Sequence, residues 1–162
     1  MEDYRLGSDR TTEVGIARSP AWSPNDRFIA FWASTNVIGH SGMLRAQGTY
    51  SLYLLNPDTL QSQKILENIQ NVTHLVWSPN SQWLAFTGDI GTSKDTLWLT
   101  SVDGRILQPV DKGGNLDLYP AFNGWNWLNN QEIIATRCLD LNCDQTEVVI
   151  YDVRSIVSLI RE

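Results

Sequence analysis

An all-β fold built from repeated four-stranded sheets is what this sequence predicts, on three observations. A ten-residue segment, Trp22-Ser23-Pro24-Asn25-Asp26-Arg27-Phe28-Ile29-Ala30-Phe31, returns as Trp77-Ser78-Pro79-Asn80-Ser81-Gln82-Trp83-Leu84-Ala85-Phe86. A weaker copy is Trp127-Leu128-Asn129-Asn130-Gln131-Glu132-Ile133-Ile134-Ala135-Thr136. The copies align without a gap at a spacing of roughly fifty residues, the period of stacked supersecondary units. Each copy sits among short apolar segments separated by turn residues, with no long 3.6-residue apolar period. Four short strands at this period describe the blades of a β-propeller.

Each blade follows one order. A first strand ends at the Trp: Ile16 to Trp22, Val72 to Trp77 and, irregularly, Leu116 to Trp127. A tight turn follows, in which Pro24 and Pro79 preset φ and end the strand while Asn, Asp and Ser bond to the local backbone. Second strands are expected at Phe28 to Trp32, Trp83 to Thr87 and Ile133 to Thr136, and third strands at Ser51 to Leu55, Thr96 to Thr100 and Glu147 to Tyr151. The next turns are Asn56-Pro57-Asp58-Thr59, Val102-Asp103-Gly104 and Asp152-Val153-Arg154-Ser155. Fourth strands are expected at Gln63 to Leu66, Arg105 to Val110 and Ile156 to Ile160, with Ser155 to Arg161 ambiguous between helix and strand. Trp22, Trp77 and Trp127 are expected to pack between neighbouring blades, where a flat ring covers much apolar area. The small Ala30, Ala85 and Ala135, each eight residues after its Trp, would let adjacent sheets approach closely.

The pattern Trp-Ser-Pro-Asn-(Asp/Ser)-x-(aromatic)-(Ile/Leu)-Ala-Phe resembles the TolB-type, WD-repeat-like propeller repeat, usually written with Trp-Ser-Pro-Asp-Gly. The resemblance covers Gly15 to the C-terminus. Asn25 and Asn80 stand where that family more often has Asp. The third copy departs further, with Leu128 and Asn129 in place of Ser and Pro and the irregular Phe122-Asn123-Gly124-Trp125 before it. The resemblance implies a multi-blade propeller that serves as a binding module or as a domain attached to a peptidase, kinase or lyase. It implies no particular ligand.

Composition narrows the classes of partner. With 162 residues, 42% of them hydrophobic, and seven Trp, the chain has material for a sizeable core. A formal net charge of −6 and the lack of any Lys/Arg cluster argue against nucleic acid, which needs a concentrated basic surface. No apolar run approaches membrane-spanning length, so no membrane insertion is expected, and the polar start Met1-Glu2-Asp3-Tyr4-Arg5 has no secretory apolar region.

The expected organisation is 1–14 as a tail or the end of a preceding blade, then blades at about 15–68, 69–114 and 115–162. Gly7-Ser8-Asp9-Arg10-Thr11-Thr12 resembles a turn leading into a fourth strand. Propellers close with about four to eight blades. Three blades leave two apolar faces open. The chain is then part of a larger propeller, the favoured reading, or two copies pair head-to-tail into a six-bladed ring. Either way, self-association through open edges is expected of the isolated chain.

Candidate contact residues lie between second and third strands. Blade one has the longest connection, 34–48, with His40 and Arg45 as candidate contacts; a variable insertion is the alternative. Asp89 and Asp95 in blade two and Asp140 and Asp144 in blade three would make an acidic face suited to a cation or a basic partner. Solvated loop charge, diluted by Lys94 and Arg137, is the alternative. No segment has the carboxylate spacing of an EF-hand. Cys138 and Cys143 flank a hairpin loop at a spacing compatible with a disulfide; free thiols in a reducing cytosol are the alternative. A disulfide would place the chain in the periplasm or otherwise outside the cytoplasm. With only His40 and His74 to add, a zinc site is disfavoured. His74 itself alternates with apolar residues and reads as a structural histidine.

No Gly-x-Ser-x-Gly elbow, His-Glu-x-x-His or Gly-rich phosphate loop occurs. No catalytic residue, metal or cofactor is therefore assigned. The expected function is a non-catalytic binding module for a protein partner. The alternatives are a fragment of an enzyme's propeller, from a prolyl-oligopeptidase-like hydrolase or a polysaccharide lyase, or the sensory domain of a membrane-anchored kinase.

Overall fold

The structure is a computed structural model that describes residues 15–40, 43–46, 48–73, 75–91, 93–111, 122–140 and 142–159; the side chains at 37–40, 43–46, 94, 95, 122 and 123 lie outside that description. The expected blade remnant in 1–14 and the whole of His74 fall outside it as well.

The first strand, β1 (Ile16–Trp22), leads through the Ser-Pro-Asn turn into β2 (Ile29–Ser34). The long connection that follows is an ordered hairpin, not the loop expected, formed by β3 (Val37–His40) and β4 (Met43–Ala46). Then come β5 (Tyr50–Leu55) and β6 (Ser62–Ile69), which complete a four-stranded sheet in the order β1-β2-β5-β6. Blade two contains β7 (Val76–Trp77), β8 (Trp83–Ile90), β9 (Ser93–Ser101) and β10 (Leu107–Asp111), again neighbours in chain order. Blade three has β11 (Phe122–Asn129), β12 (Glu132–Cys138) and β13 (Thr146–Asp152). All pairings within these sheets are antiparallel. The all-β propeller architecture expected from the repeats is the one observed.

Two elements differ from expectation. The segment expected as the fourth strand of blade three starts as a helical turn, α1 (Arg154–Val157). The Asp152 carboxylate accepts the Arg154 backbone N–H at 3.0 Å and also binds its guanidinium, while the Val153 carbonyl accepts N–H groups from Ile156 and Val157. Local capping thus bends the chain before a strand can form. The first strand of blade two is shorter than expected: Val72 and Leu75 are buried in the core but precede β7.

The core is interleaved between blades. We call the face of each blade toward its predecessor the front and the opposite face the back. Ala30, Trp32, Leu52 and Leu54 on the back of blade one pack against Trp77, Leu84, Phe86 and Trp98 on the front of blade two. The rings of Trp32 and Phe86 meet edge to face, with centroids 5.0 Å apart. Full burial of each such side chain contributes about 1.5–3 kcal/mol. Trp83, Ala85, Leu97 and Leu99 on the back of blade two meet Trp125, Trp127, Ile133 and Ala135 on the front of blade three.

The third repeat slips in register. Trp22 pairs with Ile29 and Trp77 with Leu84, but Trp127 pairs with Ile133, one residue tighter, with an irregularity between Trp127 and Asn129. A one-residue slip flips a strand's side chains to the opposite face. Ala135 therefore lies on a front face, whereas Ala30 and Ala85 lie on back faces. Trp77 and Trp127 pack between blades as expected. Trp22 is 57% exposed, since no described sheet lies in front of blade one.

Candidate binding face

The two ends of the blades differ in kind. At one end, the first and second strands are joined by turns that satisfy themselves. In blade one, the Ser23 hydroxyl donates to Asn25 Oδ1 at 2.8 Å and accepts the Phe28 N–H at 2.9 Å, while Asn25 Oδ1 accepts the Arg27 N–H at 3.2 Å. Ser78, Asn80, Gln82 and Trp83 repeat this set in blade two, at 2.7, 3.2 and 3.0 Å. Ser101, Asp103, Arg105 and Ile106 repeat it once more in the turn between β9 and β10. Asp103 is held below the usual carboxylate range, chiefly by its bond from Ser101 and then by the Arg105 N–H. Pro24 and Pro79 sit inside these turns. The turns also link blades, through the Asn25 N–H to Ser81 Oγ at 3.1 Å and the Asn80 N–H to Asn130 Oδ1 at 2.9 Å.

At the opposite end, the connections between second and third strands are all different. Blade one projects the β3–β4 hairpin, in which Arg45 pairs with Ile38 and His40 with Met43. Their side chains lie outside the described residues. Blade two closes tightly at Gly91, with Ile90 opposite Ser93. Asp89 sits just before that turn, its Oδ2 accepting from Asn71 Nδ2 at 2.6 Å, and its backbone is bridged to Gln70 on the connector from blade one. Asp95 lies on β9, its side chain again outside the described residues.

Blade three carries the cysteine loop. Cys138 and Cys143 are disulfide-bonded, with Cα atoms 4.8 Å apart, so the bonded alternative holds. Asp140 caps this loop from inside: its two oxygens accept the N–H groups of Asp144 at 2.8 Å and Gln145 at 2.9 Å. Asp144 is exposed beside it. Asp89, Asp140 and Asp144 thus lie at one end of two neighbouring blades, with Asp89 bonded to Asn71 and Asp140 engaged in shaping its loop.

Two features here escaped the sequence reading. One is a half-open polar cavity of about 480 Å³ at the root of the β3–β4 hairpin, lined by Ser34, Asn36, Thr49, Tyr53, Lys64 and Glu67 among others. Lys64 and Glu67 pair across its rim at 2.7 Å; their hydrogen bond raises the lysine pKa and lowers that of the glutamate. Strict alternation along β6 sends residues three apart to opposite faces, and the register irregularity between Leu52↔Leu66 and Tyr53↔Lys64 that relaxes this was not legible in the sequence. The other is a cluster between blades two and three. Arg137 Nε donates to Glu147 at 2.8 Å and Nη1 to Asp111 at 3.1 Å, while the Tyr151 hydroxyl donates to Asp111. Burial, and then the bond to Asp111, push the Tyr151 pKa well up, and Glu147 holds Arg137 more firmly protonated. This cluster engages Arg137, one of the two cations expected to dilute the acidic face.

No family model matches the chain, and no curated protein does. Solved structures do. Oligogalacturonate lyase in complex with manganese aligns with a TM-score of 0.62 and 11% identity, over 92% of this chain and 38% of its own. TolB from Acinetobacter baumannii aligns with a TM-score of 0.60 and 16% identity, over 88% of this chain and 31% of its own. The β-propeller domain of the Trilobed protease from Pyrococcus furiosus aligns with a TM-score of 0.56 and 12% identity, over 89% and 41%. At such identities the likeness is one of fold. The chain is a run of β-propeller blades similar to TolB and to the propellers of enzymes, and it spans between 31% and 41% of the length of these three structures.

Proposed function

We propose that the chain is a non-catalytic propeller module that binds a protein partner through the hairpin end of its blades, outside the reducing cytosol. The observation that carries this is the contrast between the ends. Turns at one end spend their polar groups on themselves and on the next blade. The other end carries three unlike connections beside an open polar cavity, and variable connections on a rigid scaffold are where recognition concentrates. The disulfide supports the compartment, because such bonds persist in oxidising surroundings. The likeness to oligogalacturonate lyase and to the Trilobed protease propeller favours a second reading, a fragment of an enzyme's propeller.

A photo-crosslinking amino acid at position 36, beside the hairpin, and another at position 57, in the opposite turn, separate these readings. Expressed in the source cells, the position-36 protein should give a discrete heterologous adduct and the position-57 protein none. Equal adducts from both positions would defeat the assignment of the hairpin end. An adduct confined to a catalytic domain would favour the second reading.

A further inference from the structure

Asn71-Val72-Thr73 is the single Asn-x-(Ser/Thr) triplet in the sequence. A triplet of this kind can carry an N-linked sugar where its Asn lies at the surface of a loop, in a protein exposed to an oxidising compartment. A first strand of blade two running from Val72, as the sequence suggests, would set the triplet at the edge of a sheet. The structure removes that obstacle. Strand β7 begins at Val76, and Asn71 lies on the connector that joins it to β6, outside any strand.

The local geometry presents Asn71 outward and fixes the chain on both sides of it. Asn71 is exposed, while Val72 is buried in the core. Its φ is +50°, in the left-handed region that Asn tolerates better than most residues with a Cβ. On one side, Gln70 and Asp89 exchange both backbone bonds, at 3.1 and 2.8 Å. On the other, the Thr73 N–H donates to the Thr87 carbonyl at 3.2 Å, and the two threonine hydroxyls lie 3.0 Å apart in a hydrogen bond.

The Asn71 carboxamide has one contact, at the surface: Nδ2 donates to Asp89 Oδ2 at 2.6 Å. A primary amide nitrogen carries two N–H groups. A bond to a sugar replaces one and leaves the other, so the modified nitrogen remains a donor. The Cys138–Cys143 disulfide is the independent observation on compartment, since such bonds persist where surroundings are oxidising.

We propose that Asn71 is a site of N-linked glycosylation. The donor is a saccharide activated as a lipid-linked diphosphate. Nδ2 attacks the anomeric carbon, the N–C bond forms, and the C–O bond to the diphosphate breaks. The diphosphate leaves with the electron pair, and Nδ2 gives up one proton. Transfer takes place on the chain before Thr73 is engaged by Thr87. In the folded protein the sugar stands at the hairpin end, next to Asp89 and the turn at Gly91. The inference rests on the compartment proposed above and not on the identity of the partner.

Peptide mass spectrometry tests it on the chain purified from its source cells. Trypsin releases residues 65–94 as one peptide, because no Lys or Arg lies between Lys64 and Lys94. The wild-type peptide should carry a saccharide mass that peptide:N-glycosidase removes, leaving Asp at position 71. Asn71→Gln and Thr73→Ala should each abolish that mass, and Thr73→Ser, which keeps the hydroxyl, should retain it. Far-UV circular dichroism verifies that each variant is folded. An unmodified wild-type peptide, a sugar at another residue of the peptide, or a sugar that survives Asn71→Gln would each overturn the proposal. A thiol count on the same sample tells the two readings apart. A bare Asn71 with the disulfide intact removes the modification alone, whereas a bare Asn71 with two free thiols removes the compartment with it.

Discussion

Gly104→Ala is the sharpest probe of how closely the blades approach. Gly104 closes the turn between β9 and β10 with φ +70°, and its N–H donates to the Ser101 carbonyl at 2.9 Å. A Cβ added there would overlap the Ile65 carbonyl oxygen and lie 3.1 Å from its carbon. Ile65 is in the middle of β6, held in the sheet of blade one, so relief requires the two blades to part. The left-handed backbone alone costs Ala roughly 1–2 kcal/mol. Forced overpacking adds about 1–3 kcal/mol. Lost freedom in the unfolded chain returns about 0.4–1 kcal/mol, leaving a net loss of about 1–4.6 kcal/mol, centred near 3. Gly91 is the control: its φ is +61°, but an added Cβ there meets nothing within 4 Å. Gly91→Ala should therefore lose about 0–1.6 kcal/mol, centred below 1. Urea unfolding followed by tryptophan fluorescence measures both. Equal losses at the two positions would refute the argument, because they would leave only the backbone term and no close contact between blades.

Reduction of the disulfide, or Cys138→Ser with Cys143→Ser, should lower stability by about 2 kcal/mol, the chain-entropy value for so short a loop, with no thiol titrating in the native oxidised protein. For Tyr151, the raised pKa means that the fold favours the neutral phenol. Its contribution is present below the unfolded value near 10 and is lost as pH rises through the higher folded value; a spectrophotometric titration should show a late-ionising tyrosine that Tyr151→Phe removes. Asp152 behaves oppositely: its bond to Arg154 lowers its pKa to about 2, so the α1 cap should persist through pH 4 and weaken toward pH 2, read from the Asp152 side-chain carboxyl resonance. Leu60 has φ +56° and is 64% exposed, so Leu60→Asn should raise stability by about 0.5–1 kcal/mol in the same urea assay.

What the sequence made legible is local. The Ser-Pro-Asn turn carries its own acceptors and donors within six residues, so Ser23 to Phe28 and Ser78 to Trp83 fold alike and could be read directly. The third copy misleads, because the slip between Trp127 and Asn129 is absorbed in one turn and yet reverses which face Ala135 presents. A gapless alignment cannot show this. The β3–β4 hairpin left a trace in two short apolar runs around Ser41-Gly42, a turn dipeptide, but its length favoured reading a loop. One turn of helix at Arg154 is too short for periodicity to reveal and depends on Asp152. Of the candidate site, the Cys138–Cys143 disulfide was legible from the spacing of the pair across a hairpin. The Lys64–Glu67 cavity and the Arg137–Asp111–Tyr151 cluster join residues from different strands or blades, and only the fold brings them together.

The two ends of the blades then have different freedom to change. A substitution in a Ser-x-(Asn/Asp) turn releases bonds within its own blade, and at Asn25, Asn80 or Ser81 it also disturbs a bond to the neighbouring blade. That end is constrained twice. At the hairpin end the connections close largely within their own blades: Gly91 turns on itself, the cysteine loop is closed by its disulfide and by Asp140, and the β3–β4 hairpin pairs within itself, while Asp89 ties blade two to the connector from blade one. Length and chemistry can vary there without moving the sheets. A scaffold that separates constraint from variation in this way suits the binding we propose at the variable end, and the buried Trp77 and Trp127 stack blades while Trp22 is exposed.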